Sequence, residues 1–316
     1  MSEIKLTEFP HTTKSDWQFA VEKELKGEAY ETMLFEIDGI QFDPYYTQEE
    51  ARYFQGNFPR YGSTMLAGEN FDFTKRQSPL SELSESVHLN MKAPYIFIDE
   101  ETNLDLIFSE QMKGIQPIIY STTLTERIES KLKGFMAMIN FILISTDKSN
   151  IQSFYPIELD LNNAIQQSGA QFLTKLDSIK DHFTGIFLNL TLSGKFTSDI
   201  AKARALKILW YNWLEKNNLM QVKKIFINIR SESYSHFPTN AISDTLNVII
   251  ADACQADRLE INTSGKNHLE KNTLRHTYNV ASIEAGIGKV PDPVGGSYFW
   301  EYAASELANR VWQEVY

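Results

Sequence analysis

Several short apolar runs of the chain end in polar side chains, and these positions are the best candidates for catalytic or binding groups. They are Tyr120, Ser121, Ser145, Asp147, Asp160, Asn162, Ser193, Arg230, Ser231, Glu232, Asn262 and Thr263. Barrel enzymes carry their reacting groups at the carboxyl ends of strands, so this distribution is typical of such a rim. Asp147 and Asp160 are candidates for a carboxylate pair, although capping of the next helix is the stronger interpretation for both.

Motifs for the common catalytic chemistries are missing from the sequence. The histidines are scattered, without the His-x-x-x-His or His-x-His spacing that holds a metal ion, so we expect no metal site. Gly-x-Ser-x-Gly and the glycine-rich phosphate loops are also missing. The single cysteine, Cys254, lies in an apolar run and is expected to be buried. Lys195 is a basic strand end that could contact an anion, although a plain turn is the stronger interpretation. Arg204 and Lys207 are expected to be solvated on a helix surface.

The bulk composition favours a folded protein and excludes several kinds of partner. The 316 residues are 42% hydrophobic and carry a net charge of −11, which disfavours nucleic acid and anionic membrane as partners. The N-terminus has no apolar core of a signal peptide, and no apolar run approaches the ~18 residues of a membrane span. We therefore expect a cytoplasmic protein.

Short apolar runs alternate with amphipathic stretches from about residue 95 onward. The predicted strands are Tyr95–Ile98, Ile115–Tyr120, Ala137–Ser145, Tyr155–Asp160, Gly185–Leu192, Lys224–Arg230 and Arg258–Asn262. The predicted helices are Asn163–Phe183, Ser198–Lys216, Asn240–Ala253, Lys271–Ala285 and Tyr302–Tyr316. Several of the strands are apolar on both faces, as in a parallel sheet. This alternation predicts an α/β fold with a (β/α)8 barrel, and a doubly wound sheet is the alternative.

Residues 1–75 are predicted to form an N-terminal arm that contacts another subunit, and residues 76–316 the barrel. In the arm, Ser15 is the predicted cap of a first helix. Leu34–Phe42 is predicted to be a hairpin that turns at Asp38-Gly39. The segment Gln55–Lys75 is predicted to be irregular.

The order of motifs along the chain resembles one enzyme family. Arg275-His276-Thr277 and Asp292-Pro-Val-Gly-Gly-Ser-Tyr298 resemble the Arg-Asn-Thr and Asp-Pro-x-Gly-Gly-Ser-Tyr motifs of the methylmalonyl-CoA mutase family. Ile200-Ala-Lys-Ala-Arg-Ala-Leu-Lys-Ile-Leu-Trp210 is similar to the Ile-Ala-Lys-x-Arg-Ala-x-x-x-Leu-Trp helix of that family, and Gln166-Gln-Ser-Gly-Ala170 to its Gln-Glu-x-Gly-Ala. The N-terminal arm resembles the start of family members more loosely.

The resemblance implies a (β/α)8 barrel that binds a CoA ester, followed in the family by a separate cobalamin-binding domain. Catalytic members use adenosylcobalamin to interconvert methylmalonyl-CoA and succinyl-CoA by a radical route. Their substrate threads the barrel axis, and the cofactor covers the mouth of the barrel. By this resemblance, the cobalamin-binding domain is expected to be absent from this chain. We expect the natural protein to continue beyond Tyr316, or a partner chain to supply the next part of the assembly.

Departures from the family pattern fall on its chemical positions. The catalytic Tyr-His pair falls on Asn163 and Ala164, and an alanine can neither hydrogen-bond a thioester carbonyl nor move a proton. The glutamate on the cofactor side falls on His268. The Thr-Arg-Gly-Pro-Tyr segment, whose Tyr lies over the corrin, is replaced by Phe58-Pro-Arg-Tyr-Gly-Ser-Thr64, which keeps Arg60.

These losses resemble the small, non-catalytic subunit of a heterodimeric mutase. On that hypothesis the chain has no catalytic residues, binds no cofactor itself and stabilises a large catalytic subunit, which binds adenosylcobalamin. Two alternatives stay open: an active mutase with altered catalytic groups, and a module that still binds acyl-CoA. Vestigial CoA contacts, if any, are expected at Arg60, Lys195 and Arg230.

Overall fold

A computed structural model gives the fold of most of the chain. It describes residues 13–47, 50, 64–75, 79–108, 112, 114–136, 138–147, 151–180, 183–220, 222–230 and 239–316, the side chains of 239–241 excepted. Arg60 and the rest of the segment that replaces Thr-Arg-Gly-Pro-Tyr, up to residue 63, lie outside the described residues.

The N-terminal arm consists of a helix and a hairpin. Helix α1 spans Lys14–Glu24, a 3-10 turn covers Tyr30–Met33, and strands β1 (Phe35–Ile37) and β2 (Ile40–Phe42) pair antiparallel. The hairpin turns at Asp38 and Gly39, which have φ of +50° and +76°. The prediction for the hairpin is therefore confirmed. The predicted cap is wrong, because Thr13 and not Ser15 caps α1, in a reciprocal capping box with Asp16.

The main sheet is a ring of parallel strands. It comprises β3 (Leu66–Gly68), β4 (Asn70–Asp72), β5 (Tyr95–Phe97), β6 (Ile118–Ser121), β7 (Ile142–Ser145), β8 (Ser153–Asp160), β9 (Gly185–Thr191), β10 (Lys224–Arg230) and β11 (Arg258–Glu260). The strand order is β3-β11-β10-β9-β8-β7-β6-β5-β4. Since β3 and β4 are separated only by Glu69, the two ends of this order are halves of one bent strand. The sheet therefore closes, and the predicted (β/α)8 barrel is confirmed over the doubly wound alternative.

The first barrel strand is the element for which the sequence prediction is wrong. The sequence predicts an irregular segment of the arm over residues 66–72, yet β3 pairs with β11 and β4 pairs with β5. The strand has few large apolar residues because its neighbours approach closely. A Cβ on Gly68 would lie 1.8 Å from the carbonyl oxygen of Ala93, so only glycine fits there.

Helices surround the barrel. They are α2 (Leu80–His88), α3 (Leu104–Ile107), α4 (Glu126–Phe135), α5 (Ile165–Ile179), α6 (Phe196–Lys216), α7 (Thr239–Ala253), α8 (His268–Asn279) and α9 (Tyr298–Val315), with a π-helical turn at Val280–Glu284 that continues α8. Helix α9 packs across α5 and α6, where Gly169 of α5 leaves room for Val311 of α9. Among the described residues, no helix has the length and apolar character needed to cross a membrane.

Candidate functional site

Aromatic side chains fill the axis of the barrel. Tyr95, Phe154, Phe187 and Phe226 come from β5, β8, β9 and β10 and form one buried cluster, separate from the clusters under the helices. The ring centroids of Phe187 and Phe226 are 5.1 Å apart in a stacked arrangement, and those of Phe187 and Tyr95 are 5.8 Å apart. Ring contacts of this kind are favourable beyond the area that they bury. The axis is therefore a packed core at this level.

A polar layer lies next to the aromatic layer, on the side of the carboxyl ends of the strands. Because side chains alternate along a strand, the residues two positions after Phe187 and Phe226 also point to the axis, and these are Asn189 and Asn228. The Asn228 amide donates to Asn189 Oδ1 at 2.7 Å, and the Asn189 amide donates to Glu158 Oε1 at 2.6 Å. This chain of bonds links three adjacent strands.

Two arginines and two glutamates complete the polar layer. Arg230 donates to Glu260 Oε2 at 3.0 Å and to Glu158. Arg258 is fully buried and donates to the carbonyl oxygens of Ala93 and Gly68 at 2.8 and 2.9 Å, and to the Asn228 side chain at 2.8 Å. These contacts tie β3, β10 and β11 together. The two positive and two negative charges of the layer balance one another.

Burial and charge act differently on the ionisable groups of this layer. Burial raises the pKa of Glu158, although Arg230 and the Asn189 amide oppose the shift. Burial also disfavours the charged form of Glu260, but Arg258 and Arg230 outweigh it and lower the pKa of that carboxyl. Burial lowers the pKa of Arg258 to about 10, so the guanidinium stays charged at neutral pH. The layer is a paired network in which each charged group already faces an opposite charge.

The structure brings most of the predicted site residues to one edge of the barrel. Arg230 ends β10, Lys195 follows β9, Asn163 and Ala164 follow β8, and His268 follows β11. These four strands are neighbours and parallel, so their carboxyl ends share a rim. Lys195 is exposed at the start of α6. The side chain of His268 is 76% exposed and lies 3.3 Å from Glu85. Arg230 is held by two carboxylates and faces into the polar layer.

The arm contacts the start of α5, beside Asn163 and Ala164, the positions of the family Tyr-His pair, which remain exposed. Asp38, at the turn of the hairpin, accepts the backbone N–H of Ile165 at 2.6 Å and so caps α5. Lys202 donates to the carbonyl oxygens of Leu161 and Asn163 and pairs with Asp38 at 2.8 Å. The capping role expected of a strand-end carboxylate is therefore wrong for Asp160, which instead forms a turn with Asn162.

Motifs that are distant in the sequence bind one another. Arg204, in the motif helix α6, donates to both carboxylate oxygens of Asp292 at 2.9 and 3.1 Å. The expectation that Arg204 and Lys207 are solvated is wrong, because the Arg204 side chain is only 12% exposed, and Lys207 is buried and donates to Gln255 Oε1 at 2.8 Å. A bidentate pair fixes both partners in position and orientation. Each of the two basic side chains therefore bonds α6 to another part of the chain.

The Arg275 motif joins α8 to the first barrel strand. Arg275 and Glu69 are each 2% exposed in their side chains and form two bonds of 2.7 and 3.1 Å. Ser86 and Thr263 also donate to the Glu69 carboxylate. The arginine of the resemblance motif is thus part of a buried network at the junction of β3 and β4.

The sequence interpretation misses most of the polar layer. Of its charged and amide side chains, only Arg230 is among the candidates. Asn189 and Asn228 could have been found, because each is a polar residue in the middle of an otherwise apolar strand. Glu158 and Glu260 lie within strands and carry no comparable signal.

Metal and thiol chemistry have no assembled site among the described residues. No group of three His, Cys, Asp or Glu side chains in that part of the chain is placed to hold a metal ion. Cys254 is fully buried, as predicted, and burial raises the pKa of its thiol. No protein-family model matches the chain, and no curated protein matches it.

Proposed function

We propose that this chain is the small, non-catalytic subunit of a heterodimeric adenosylcobalamin-dependent methylmalonyl-CoA mutase, and that it stabilises the catalytic subunit. The observation that carries the proposal is the filled barrel axis. Catalytic members of the family thread their substrate along that axis. Here Tyr95, Phe187 and Phe226 occupy it, and a substrate could enter only by displacing a packed core.

The contacts of the resembling motifs support the same conclusion. Arg204, Asp292 and Arg275 are all used in bonds within the chain. These bonds explain why the motifs persist in a chain that lacks the catalytic Tyr-His pair. They join separate elements of the fold, so they can stabilise the barrel whether or not it catalyses a reaction.

Three of the described rim residues support a chain that binds neither cobalamin nor a CoA ester itself. At the rim, His268 stands in place of the cofactor-side glutamate and lies beside Glu85. Of the proposed anion contacts, Arg230 is neutralised by two glutamates and Lys195 is a single exposed charge. We therefore assign adenosylcobalamin and the rearrangement to the partner subunit and derive no chemical step in this chain.

Co-expression with a catalytic mutase subunit tests the proposal. We expect a one-to-one complex by size-exclusion chromatography with light scattering, and a catalytic subunit that unfolds at a higher temperature in the complex than alone. Turnover of methylmalonyl-CoA by the isolated chain with adenosylcobalamin would contradict the proposal, as would the lack of any complex. Heat released on titration of the isolated chain with CoA would instead favour an acyl-CoA-binding module.

A further inference from the structure

The outer faces of α7 and α8 carry large apolar side chains in contact with solvent. On α7, Ile242, Leu246 and Ile249 recur at helical spacing. Leu269 near the start of α8 and Val280 and Ile283 in its π-helical continuation are also exposed on one side of that helix, with polar side chains between Leu269 and Val280. The six side chains, which we call the α7–α8 face, are between 39% and 76% exposed. Helices around a barrel normally turn polar residues outward, so this face is unusual for a surface that meets water.

The two stripes belong to one surface. Helices α7 and α8 are in contact, and Val248 and Asn247 of α7 line a small cavity together with Leu274 and Thr277 of α8. The six exposed residues lie on the sides of their helices away from this cavity and from the barrel. They therefore point outward from two neighbouring helices.

Another helix of the same barrel provides an internal comparison. The exposed positions of α5 are Gln167, Gln171, Thr174, Asp177 and Ser178, and all are polar. The exposed described positions of α7 include three large aliphatic residues and no charged one. The contrast within one chain indicates that the α7–α8 face is covered in the assembled protein.

The charges of the face limit the kinds of partner that can cover it. Among the described side chains of α7 and α8, no lysine or arginine is exposed, so nucleic acid and anionic lipid have nothing to bind there. A second copy of this chain would bring two bodies of net charge −11 together, which opposes association. A different protein with an apolar, uncharged face meets neither obstacle.

The size of the face fits the core of a lasting protein interface. The stripe from Leu269 to Ile283 is about 21 Å long at ~1.5 Å per residue, and two helices side by side are about 20 Å wide. The product, a footprint of about 400 Å² that includes the polar side chains between the six apolar ones, is roughly half of the ~800 Å² that each partner buries in a standard interface. A polar rim around the stripes would supply the remainder.

We infer that the α7–α8 face is a surface on which this chain docks the catalytic mutase subunit, in addition to the contact predicted for the N-terminal arm. The inference rests on the proposed function, which supplies the partner, while the location comes from the exposed side chains alone. The partner is expected to present an apolar face of its own, with few charges at its centre.

Single charge insertions test the inference. Ile242→Glu and Ile283→Glu lie on different helices, and Gln171→Glu and Thr174→Glu on α5 are matched controls that add the same charge. Each variant is titrated with the catalytic subunit by calorimetry, after a melting curve has shown that it is folded. We expect each α7–α8 variant to raise the Kd about 10-fold or more, because a charge is buried without a partner, and each control to change it less than about 2-fold.

The outcomes separate the location from the function. If the wild-type chain binds and both α7–α8 variants bind equally well, the docking surface is overturned while the proposed function stands. If the wild-type chain does not bind at all, both are overturned. If the wild-type chain alone is a dimer that Ile242→Glu makes monomeric, with binding of the catalytic subunit unchanged, the occupant is a second copy and the inference is overturned.

Discussion

Replacing Phe187 with alanine is the sharpest test of the filled axis. Phe187 is fully buried at the centre of the barrel, stacked on Phe226 at 5.1 Å and against Tyr95 at 5.8 Å. Its strand, β9, is paired along its full length with β8 and β10. Strands held on both sides cannot move inward, so the space left by the ring would stay largely empty.

The expected loss follows from that rigidity. A buried Phe→Ala change costs about 3–5 kcal/mol, and the cost is greatest where the site cannot collapse. We therefore expect Phe187→Ala to lower the free energy of unfolding by about 4 kcal/mol. With an unfolding entropy of ~2.1 cal/mol/K per residue over 316 residues, the melting temperature should fall by about 6 °C.

Urea unfolding and thermal melting, both followed by circular dichroism, measure the two quantities. Phe19→Ala is the control, because Phe19 is 73% exposed and should change the stability by less than about 0.5 kcal/mol. A loss below about 1.5 kcal/mol for Phe187→Ala would refute the packed axis. It would mean that the ring lines an open passage and loses little contact when it is removed.

Three further substitutions test other parts of the fold. Arg275→Met leaves the buried Glu69 carboxylate without its charge partner and should cost about 3–5 kcal/mol in urea unfolding, most of it recovered when Glu69→Leu is added. Gly169→Ala places a Cβ 2.7 Å from Val311 Cγ1 and should lower the free energy of unfolding by about 1–3 kcal/mol. In a chain that also carries Val311→Ala, the same change should be neutral or stabilising by up to about 1 kcal/mol. Burial raises the pKa of Asp244 from 3.8 to about 6, so the folded state binds the proton more tightly and this group makes stability fall as the pH rises from about 4 to about 6. Asp244→Asn should remove this pH dependence of stability and stabilise the chain at pH 7 by about 1 kcal/mol, a value reduced because the carboxyl is partly exposed. Equal stability of the wild-type and Asp244→Asn chains at pH 7 would contradict this prediction.

The helices and most strands could be predicted because burial leaves a regular pattern in the sequence. Strands such as β9 and β10 are covered on both faces, and their residues are correspondingly apolar almost throughout. Alternation of strands and helices could not distinguish a barrel from an open sheet, because both produce it. Closure depends on β3 and β4, whose six residues carry little apolar signal.

The polar layer could be predicted only in part, because its members meet through the register of the sheet. Asn189 lies opposite Glu158 on one side and Asn228 on the other. That register follows from pairing between strands about 30 to 40 residues apart, which periodicity within one strand does not report. The capping of α5 by Asp38 was out of reach for the same reason, since the two elements are 127 residues apart.

The motifs that resemble the mutase family make contacts that stabilise the fold, and this limits what the resemblance says about function. Arg204 binds Asp292, Lys202 binds Asp38, and Gly169 makes room for Val311. In each case a motif residue meets another part of the scaffold, and none of these contacts requires a substrate. A chain that kept its fold but lost its reaction would therefore keep these motifs, because each still stabilises the barrel. In catalytic members of the family the reaction depends on the barrel axis and the rim, which Phe187 and Ala164 occupy in this chain. The motif contacts therefore account for the scaffold alone, and the proposal of a non-catalytic chain rests on the filled axis.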